Sequence, residues 1–371
     1  MDVSVVIPTM NEEATIGECI RKAKKLFRKM KVEGEVIIAD NSSDGTARIA
    51  GEMGAKIIPN KPGYGNAYLA GFEAAKGKYI AMVDGDGTYD IMEIEELLKP
   101  LMRGEADFVI GSRFRGEIKE SAMSFLHRRV GNPFFNWFLS KIYGINVSDS
   151  HCGMRAFTRD AYKKMNLKSE GMEFASEMVI KAHNQALRIK EVPINYYSRR
   201  GSKSKIKSFD DGWRHMRFMV LSSPPAIFVY PGTFLMVVGF LLLLILLGGP
   251  AVLLGLPLYI HPMIFGSMFT IVGFQLYSLG LFSAIYRRRI NANGKGESFF
   301  AGNLKLETGL LVGMLALIVG LAIALMIVYR WIVSGFGPLG YEREAIVSST
   351  LVALGVQVAF TSLFSSILAM D

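Results

Sequence analysis

Two aspartates, Asp84 and Asp86, flank Gly85 directly after the apolar run Tyr79–Val83. Carboxylates this close repel each other unless a cation neutralises them, and hard oxygen donors of this kind suit Mg²⁺ or Mn²⁺ held jointly with a diphosphate. A tight Asp-Gly turn between strands would use the same residues. The surroundings favour chemistry, because polar clusters follow three other apolar runs in the same way. Pro8-Thr9-Met10-Asn11-Glu12 follows Val3–Ile7, Asp40 to Thr46 follows Glu35–Ala39, and Ser112-Arg113 follows Asp107–Gly111. Lys61-Pro-Gly-Tyr-Gly65-Asn-Ala67 precedes a helical pattern, so its backbone N–H groups and its lysine would suit phosphate oxygens.

Helical patterns at Glu12–Lys29 and Thr46–Met53 separate the apolar runs. Strands alternating with helices predict βαβ units around a parallel sheet, whose ligands sit beyond the carboxyl ends of the strands. The polar clusters stand at those ends. With 371 residues the chain exceeds what one core usually organises. An α/β domain is expected over residues 1–205, an interfacial amphipathic helix over 206–224, and an all-α transmembrane domain over 225–371. The helix is read from Phe209, Trp213, Met216 and Val220 at helical spacing beside Arg214 and Arg217. Four apolar blocks, near 226–247, 262–286, 308–333 and 345–369, are each long enough to span a bilayer. They carry almost no charge inside the membrane, so they are expected to anchor rather than transport.

Arg287, Arg288, Arg289, Lys295 and Lys305 lie between the second and third blocks. The retention of basic loops inside the cell then places the first domain and both termini in the cytoplasm. The chain opens into Val3–Ile7 without the pattern of a signal peptide, and Cys19 and Cys152 make neither a disulfide framework nor a zinc cluster. A net charge of +9 fits an anionic membrane surface or a phosphorylated substrate. Nucleic acid is not an expected partner, since the basic residues cluster at the membrane entry and no nucleic-acid module is present.

Ser4-Val-Val-Ile-Pro-Thr-Met-Asn-Glu12, Ala39-Asp40 with Ser43-Asp-Gly-Thr46, Gly63-Tyr-Gly65-Asn-Ala67, Val83-Asp-Gly-Asp86 and Gly111-Ser-Arg113 form an ordered set. Together they resemble the family-2 glycosyltransferases of the GT-A fold, nearest to the dolichyl-phosphate and polyprenyl-phosphate mannose and glucose synthases. The resemblance covers roughly residues 1–210. It implies a Rossmann-like nucleotide-sugar domain in which Pro8, Thr9, Asn11, Glu12, Asp40, Lys61, Gly65, Asp84 and Gly85 bind the nucleotide, while Asp84 and Asp86 hold Mg²⁺ or Mn²⁺. Asp86, Arg113 and Asp149 are its catalytic candidates, Asp149 opening the segment Asp149-Ser-His-Cys-Gly-Met-Arg155.

Arg199-Arg-Gly-Ser-Lys-Ser-Lys205 resembles the branch's basic closing loop with one extra residue. Arg128, Arg129, Arg200, Ser204 and Lys205 are the candidates to grip the acceptor phosphate, because guanidinium matches phosphate oxygens bidentately. Glu173, ahead of Glu177, is the candidate for sugar hydroxyls. Thr88 stands where the mannose synthases often carry a glutamine ligand to the metal. The resemblance thus implies inverting transfer of a hexose from a nucleotide-sugar to dolichyl or polyprenyl phosphate. UDP-glucose is favoured by Asp84-Gly-Asp-Gly-Thr-Tyr89, with GDP-mannose and UDP-N-acetylglucosamine as alternatives. A phosphate acceptor is already charged and needs no strong base. A processive polysaccharide synthase would carry Gln-x-x-Arg-Trp, but Gln185-Ala-Leu-Arg188 is followed by Ile189. A non-catalytic flippase component would leave the acid pair without purpose. Self-association of the chain stays open.

Overall fold

Val3–Ile7, interrupted by Ser4, Ile37–Ala39, Tyr79–Val83 and Phe108–Gly111 read as apolar runs because these strands are covered on both faces, as in a sheet flanked by helices. In the computed structural model, which describes residues 1–199, 208–223, 225–253, 255–290 and 306–369, the chain forms two units, Met1–Ser222 and Ser223–Asp371. The first carries strands β1 (Val3–Thr9), β2 (Gly34–Asp40), β3 (Lys56–Pro59), β4 (Tyr79–Met82), β5 (Phe108–Ser112), β6 (Arg155–Thr158) and β7 (Ile189–Pro193). Its helices are α1 (Ile16–Met30), α2 (Thr46–Glu52), α3 (Tyr64–Ala74), α4 (Ile94–Met102), α5 (Asn132–Tyr143), α6 (Arg159–Met165), α7 (Phe174–Asn184) and α8 (Ser208–Leu221).

The sheet order is β3-β2-β1-β4-β6-β5-β7. All neighbours are parallel except β6, which runs antiparallel to both β4 and β5. That reversal positions the site. Arg155, the first residue of β6, pairs with Met82 near the carboxyl end of β4 and with Ile110 in β5. The segment 149–154 just before it therefore arrives at the carboxyl ends of both strands, beside Asp84–Asp86 and Arg113. Arg155 itself has no exposed surface, and its guanidinium donates to the carbonyls of Ser150 (2.7 Å), Cys152 (2.9 Å) and Ala175 (2.8 Å). Burial lowers its pKa from the usual arginine value, against the pull of nearby groups that include Asp149.

The second unit holds α9 (Tyr230–Leu247), a short hairpin of β8 (Ala251–Leu253) and β9 (Leu256–Leu258), α10 (His261–Ile290), α11 (Leu306–Val333) and α12 (Glu342–Ala369). All four helices are long and apolar enough to cross a membrane. Without a hydrophobic drive between helices in lipid, close backbone approach must hold them together. Gly232 and Gly239, seven apart on α9, meet Gly273 and Gly266 of α10. A Cβ at Gly232 would stand 2.7 Å from the Gly273 oxygen, and one at Gly239 2.5 Å from the Gly266 oxygen. Gly313 of α11 and Gly355 of α12 meet in the same manner.

Candidate active site

The register of β1 and β2 sets Thr9 beside Asp40, so the polar ends of the two strands face each other. Thr9 Oγ1 and Ser42 Oγ each donate to Asp40 Oδ1 at 2.6 Å. Asn11 adopts φ 60°, a left-handed conformation that its short amide tolerates. There its N–H donates to Ser42 Oγ (2.8 Å) and its Oδ1 accepts from the Ser43 N–H (2.8 Å). The Glu12 N–H donates to Thr46 Oγ1 at 2.9 Å, and Glu12 is nearly buried. Pro8, half-buried, pairs with Ala39. Gly85 fits against Ile7 and Thr9, where a Cβ would come within 3.0 and 3.1 Å, and its carbonyl accepts from Thr15 Oγ1 at 2.6 Å. Pro8, Thr9, Asn11, Glu12, Asp40 and Gly85 thus occupy one continuous rim at the strand ends.

Asp84 and Asp86 lie on that rim with different partners. Asp84 Oδ1 accepts from the hydroxyls of Tyr64 (3.1 Å) and Tyr68 (3.0 Å), one turn apart on α3. Burial and the adjacent Asp86 charge hold its pKa up at about 6. Asp86 Oδ1 accepts from the Thr88 N–H (3.0 Å) and hydroxyl (2.5 Å), and Oδ2 faces Arg199 Nη2 at 2.5 Å. Thr88 therefore orients Asp86 instead of replacing the glutamine of the mannose synthases. No group of three His, Cys, Asp or Glu side chains that could hold a metal occurs among the described residues. Two carboxylates suit a hard cation that completes its shell with diphosphate and water, which is how Mg²⁺ is usually bound.

Arg113 and Asp149 form a buried bidentate pair. Arg113 Nε donates to Asp149 Oδ2 at 2.6 Å, Nη2 to Oδ1 at 2.7 Å, and the Arg113 backbone N–H to Oδ2 at 3.0 Å. Asp149 has no exposed surface, and the Arg113 guanidinium stacks 5.1 Å from the Tyr196 ring. Both oxygens of Asp149 are engaged by Arg113, which it orients. Gly153 closes the same turn, and a Cβ there would stand 2.3 Å from Asp84 Oδ2. Gly153→Ala is expected to push Asp84 off its tyrosines and lower kcat/KM about 10²-fold, as ångström-scale misplacement does. Steady-state kinetics on the folded variant check this, and an unchanged kcat/KM would contradict it.

Other candidates stand apart. In Lys61–Ala67 the glycines serve packing: a Cβ on Gly63 would lie 2.5 Å from the Glu170 oxygen, and one on Gly65 2.0 Å from the Ser169 oxygen. The Asn66 N–H already donates to the Glu170 carbonyl (3.1 Å), and Lys61 is exposed. The loop that carries Lys61 and Gly65 is thus a close backbone crossing against residues 169–170. Glu177 accepts from the N–H groups of Lys168 and Ser169 and holds that crossing in place. Glu173 lines an open cavity of about 480 Å³ with Gly63, Arg214, Arg217 and Phe218. Arg128 and Arg129 are exposed on a π-helical turn before α5. Arg200, Ser204 and Lys205 lie outside the described residues. Sequence reasoning missed Tyr64, Tyr68 and Arg155, and gave Arg199 only as the start of the basic closing loop; one-turn spacing of the tyrosines was the available signal for the first two.

A buried imidazole pair ties α8 to this site. His215 Nδ1 lies 3.3 Å from His151 Nε2 and 2.9 Å from Ser176 Oγ, while Ser150 Oγ reaches His151 Nδ1 at 2.9 Å. Burial, with Arg155 adding its charge, pushes His215 down to about 4. His151 is driven well below its usual value by burial, then by His215, Arg155, Arg113 and His127. The unfolded chain takes up protons near pH 6.5 and the folded pair does not, so stability falls as pH drops below about 6.5. By pH 5 His215 alone costs about 2 kcal/mol. Thermal unfolding between pH 7.5 and 5 should show the loss, and His215→Phe should flatten it; equal slopes would contradict the assignment.

The family model of glycosyl transferase family 2 matches residues 4–165, and that of the glycosyltransferase family 2 C-terminal transmembrane region matches 281–369. The low-salt glycan biosynthesis hexosyltransferase Agl6 of Haloferax volcanii is 43% identical over 362 residues, 97% of this chain and 87% of its own. A dolichyl-phosphate hexose transferase of the same organism is 32% identical over 57% of this chain and 89% of its own. The dolichyl-phosphate beta-glucosyltransferase ALG5D of Trichomonas vaginalis is 28% identical over 55% of this chain and 68% of its own. Likeness along almost the whole chain, on a sheet that gathers its acid pair and buried arginine at one edge, makes this protein a member of glycosyltransferase family 2, with a GT-A fold and a C-terminal transmembrane region.

Proposed function

We propose that the protein transfers a hexose, glucose by preference, from a nucleotide-sugar to dolichyl or polyprenyl phosphate, with inversion at the anomeric carbon. The observation that carries this reading is Asp149. Enclosed and held by three hydrogen bonds from Arg113, it has both oxygens turned to that residue. A phosphate monoester suits such a site, since it is already ionised at neutral pH and needs no proton removed. The names of the two dolichyl-phosphate relatives add support for the lipid acceptor, and one of them for glucose.

The rim from Thr9 to Thr46 would hold base and ribose, and Asp84 with Asp86 the diphosphate. Mg²⁺ or Mn²⁺ bound there would supply charge to stabilise the departing nucleoside diphosphate. Arg113, fixed by Asp149 and Tyr196, presents a guanidinium that does not reorganise as charge develops. Phe125, Leu126, Val130, Phe134 and Trp137 are exposed around Arg128 and Arg129. Apolar side chains interleaved with arginines suit a polyprenyl chain and its phosphate arriving from a membrane. Basic loops between the spans favour a cytoplasmic catalytic unit.

Donor choice is tested on the full chain in detergent with dolichyl phosphate and Mn²⁺, offering labelled UDP-glucose, UDP-N-acetylglucosamine and GDP-mannose in turn. The reading expects UDP-glucose to label the lipid fastest. Faster labelling from GDP-mannose would move the assignment to a mannose synthase.

A further inference from the structure

Arg199 reaches the donor site from the far end of the first unit. The chain ahead of it is pinned, because Tyr196 bridges to Tyr89 and the Tyr197 N–H donates to the Thr88 carbonyl at 2.9 Å. Two residues later Arg199 Nη2 meets Asp86 Oδ2 at 2.5 Å, and Nη1 stands 4.0 Å from Glu12 Oε1. One guanidinium thus bridges two carboxylates that are each 7% exposed, while its own side chain remains 25% exposed.

The other oxygen of Asp86 is held by Thr88, so Oδ2 is the oxygen turned toward positive charge. A divalent cation held by the acid pair would draw on the same carboxylate. Guanidinium and cation would then be like charges in a partly buried site, where repulsion is poorly screened. We propose that Arg199 is a resident counter-ion that competes with the divalent cation for Asp86, and yields the carboxylate when a nucleoside diphosphate offers the guanidinium another anion. The proposal rests on the reading of Asp84 and Asp86 as a cation and diphosphate site. It adds that Arg199 makes cation and nucleotide bind cooperatively, since each removes an obstacle to the other. Arg199 acts here as a positioning residue, through Asp86.

The test is a titration of the full chain in detergent with Mn²⁺ alone and with Mn²⁺ plus UDP, following free Mn²⁺ by electron paramagnetic resonance. Wild type, Arg199→Met, Arg199→Lys and Asp86→Asn are compared. Loss of a charge-assisted competitor is expected to make Arg199→Met bind Mn²⁺ alone about tenfold tighter and to shrink the enhancement by UDP by the same factor. Arg199→Lys, which keeps the charge, should stay near wild type. Structural damage would weaken Mn²⁺ binding, so the expected gain separates competition from misfolding. Mn²⁺ binding no tighter in Arg199→Met, with UDP-dependent binding retained, would overturn the counter-ion role and leave the cation site standing. If wild type bound no Mn²⁺ even with UDP, the cation site and the proposal would fall together.

Discussion

Arg113→Met is expected to destabilise the first unit by about 3–5 kcal/mol and to abolish measurable transfer, because it strands a carboxylate that has no exposed surface. Buried ion pairs differ from surface ones in this respect: the pair as a whole adds little, but half of it is costly. The double variant Arg113→Met/Asp149→Leu should therefore regain most of the lost stability. Transfer by the double variant should stay on the order of 10³-fold below wild type, since the guanidinium that meets developing charge is gone. Denaturant unfolding and kcat measured on the two variants separate the roles. Recovery of both stability and activity in the double variant would show that the pair only holds the fold together.

Asp86→Asn should do the opposite, leaving the fold intact while transfer falls on the order of 10³-fold. Asp84 is kept near pKa 6 partly by the charge of Asp86, so removing that charge relieves a repulsion. The lost contact with the partly exposed Arg199 is worth little in exchange. The unfolding temperature is expected to change by no more than a few degrees. A large drop in stability with modest loss of transfer would make Asp86 a structural residue, and the donor site would have to be sought elsewhere.

The contrast between these two aspartates marks how far the sequence could be read. Strands β1, β2, β4 and β5 were legible because a doubly covered strand is a continuous apolar run, and the chemistry follows directly at their ends. The four long apolar helices were legible from length alone. Strand β6 was not: Arg-Ala-Phe-Thr is too short for periodicity, and its first residue looks like a surface charge although it is enclosed. With β6 unseen, nothing in the sequence brought Asp149 onto Arg113, 36 residues away, or Gly153 onto Asp84. Antiparallel insertion of one strand creates both contacts. Gly63 and Gly65 were ambiguous for a related reason, since a glycine required by a crossing backbone has the same letter as one required by a phosphate. Arg199 lies 113 residues from Asp86, a separation that no local pattern spans.

The central claim is that a lipid phosphate, already ionised, attacks the sugar of a nucleotide donor held at Asp84 and Asp86. The measurement that tests it most directly offers the full chain one labelled donor with polyprenyl phosphate or with the matching polyprenol alcohol. Only the phosphate, which needs no proton removed, should be glycosylated, giving a product labile to mild acid that disappears in Asp86→Asn. Transfer to the alcohol at a comparable rate would mean that a base deprotonates the acceptor, and would contradict the account.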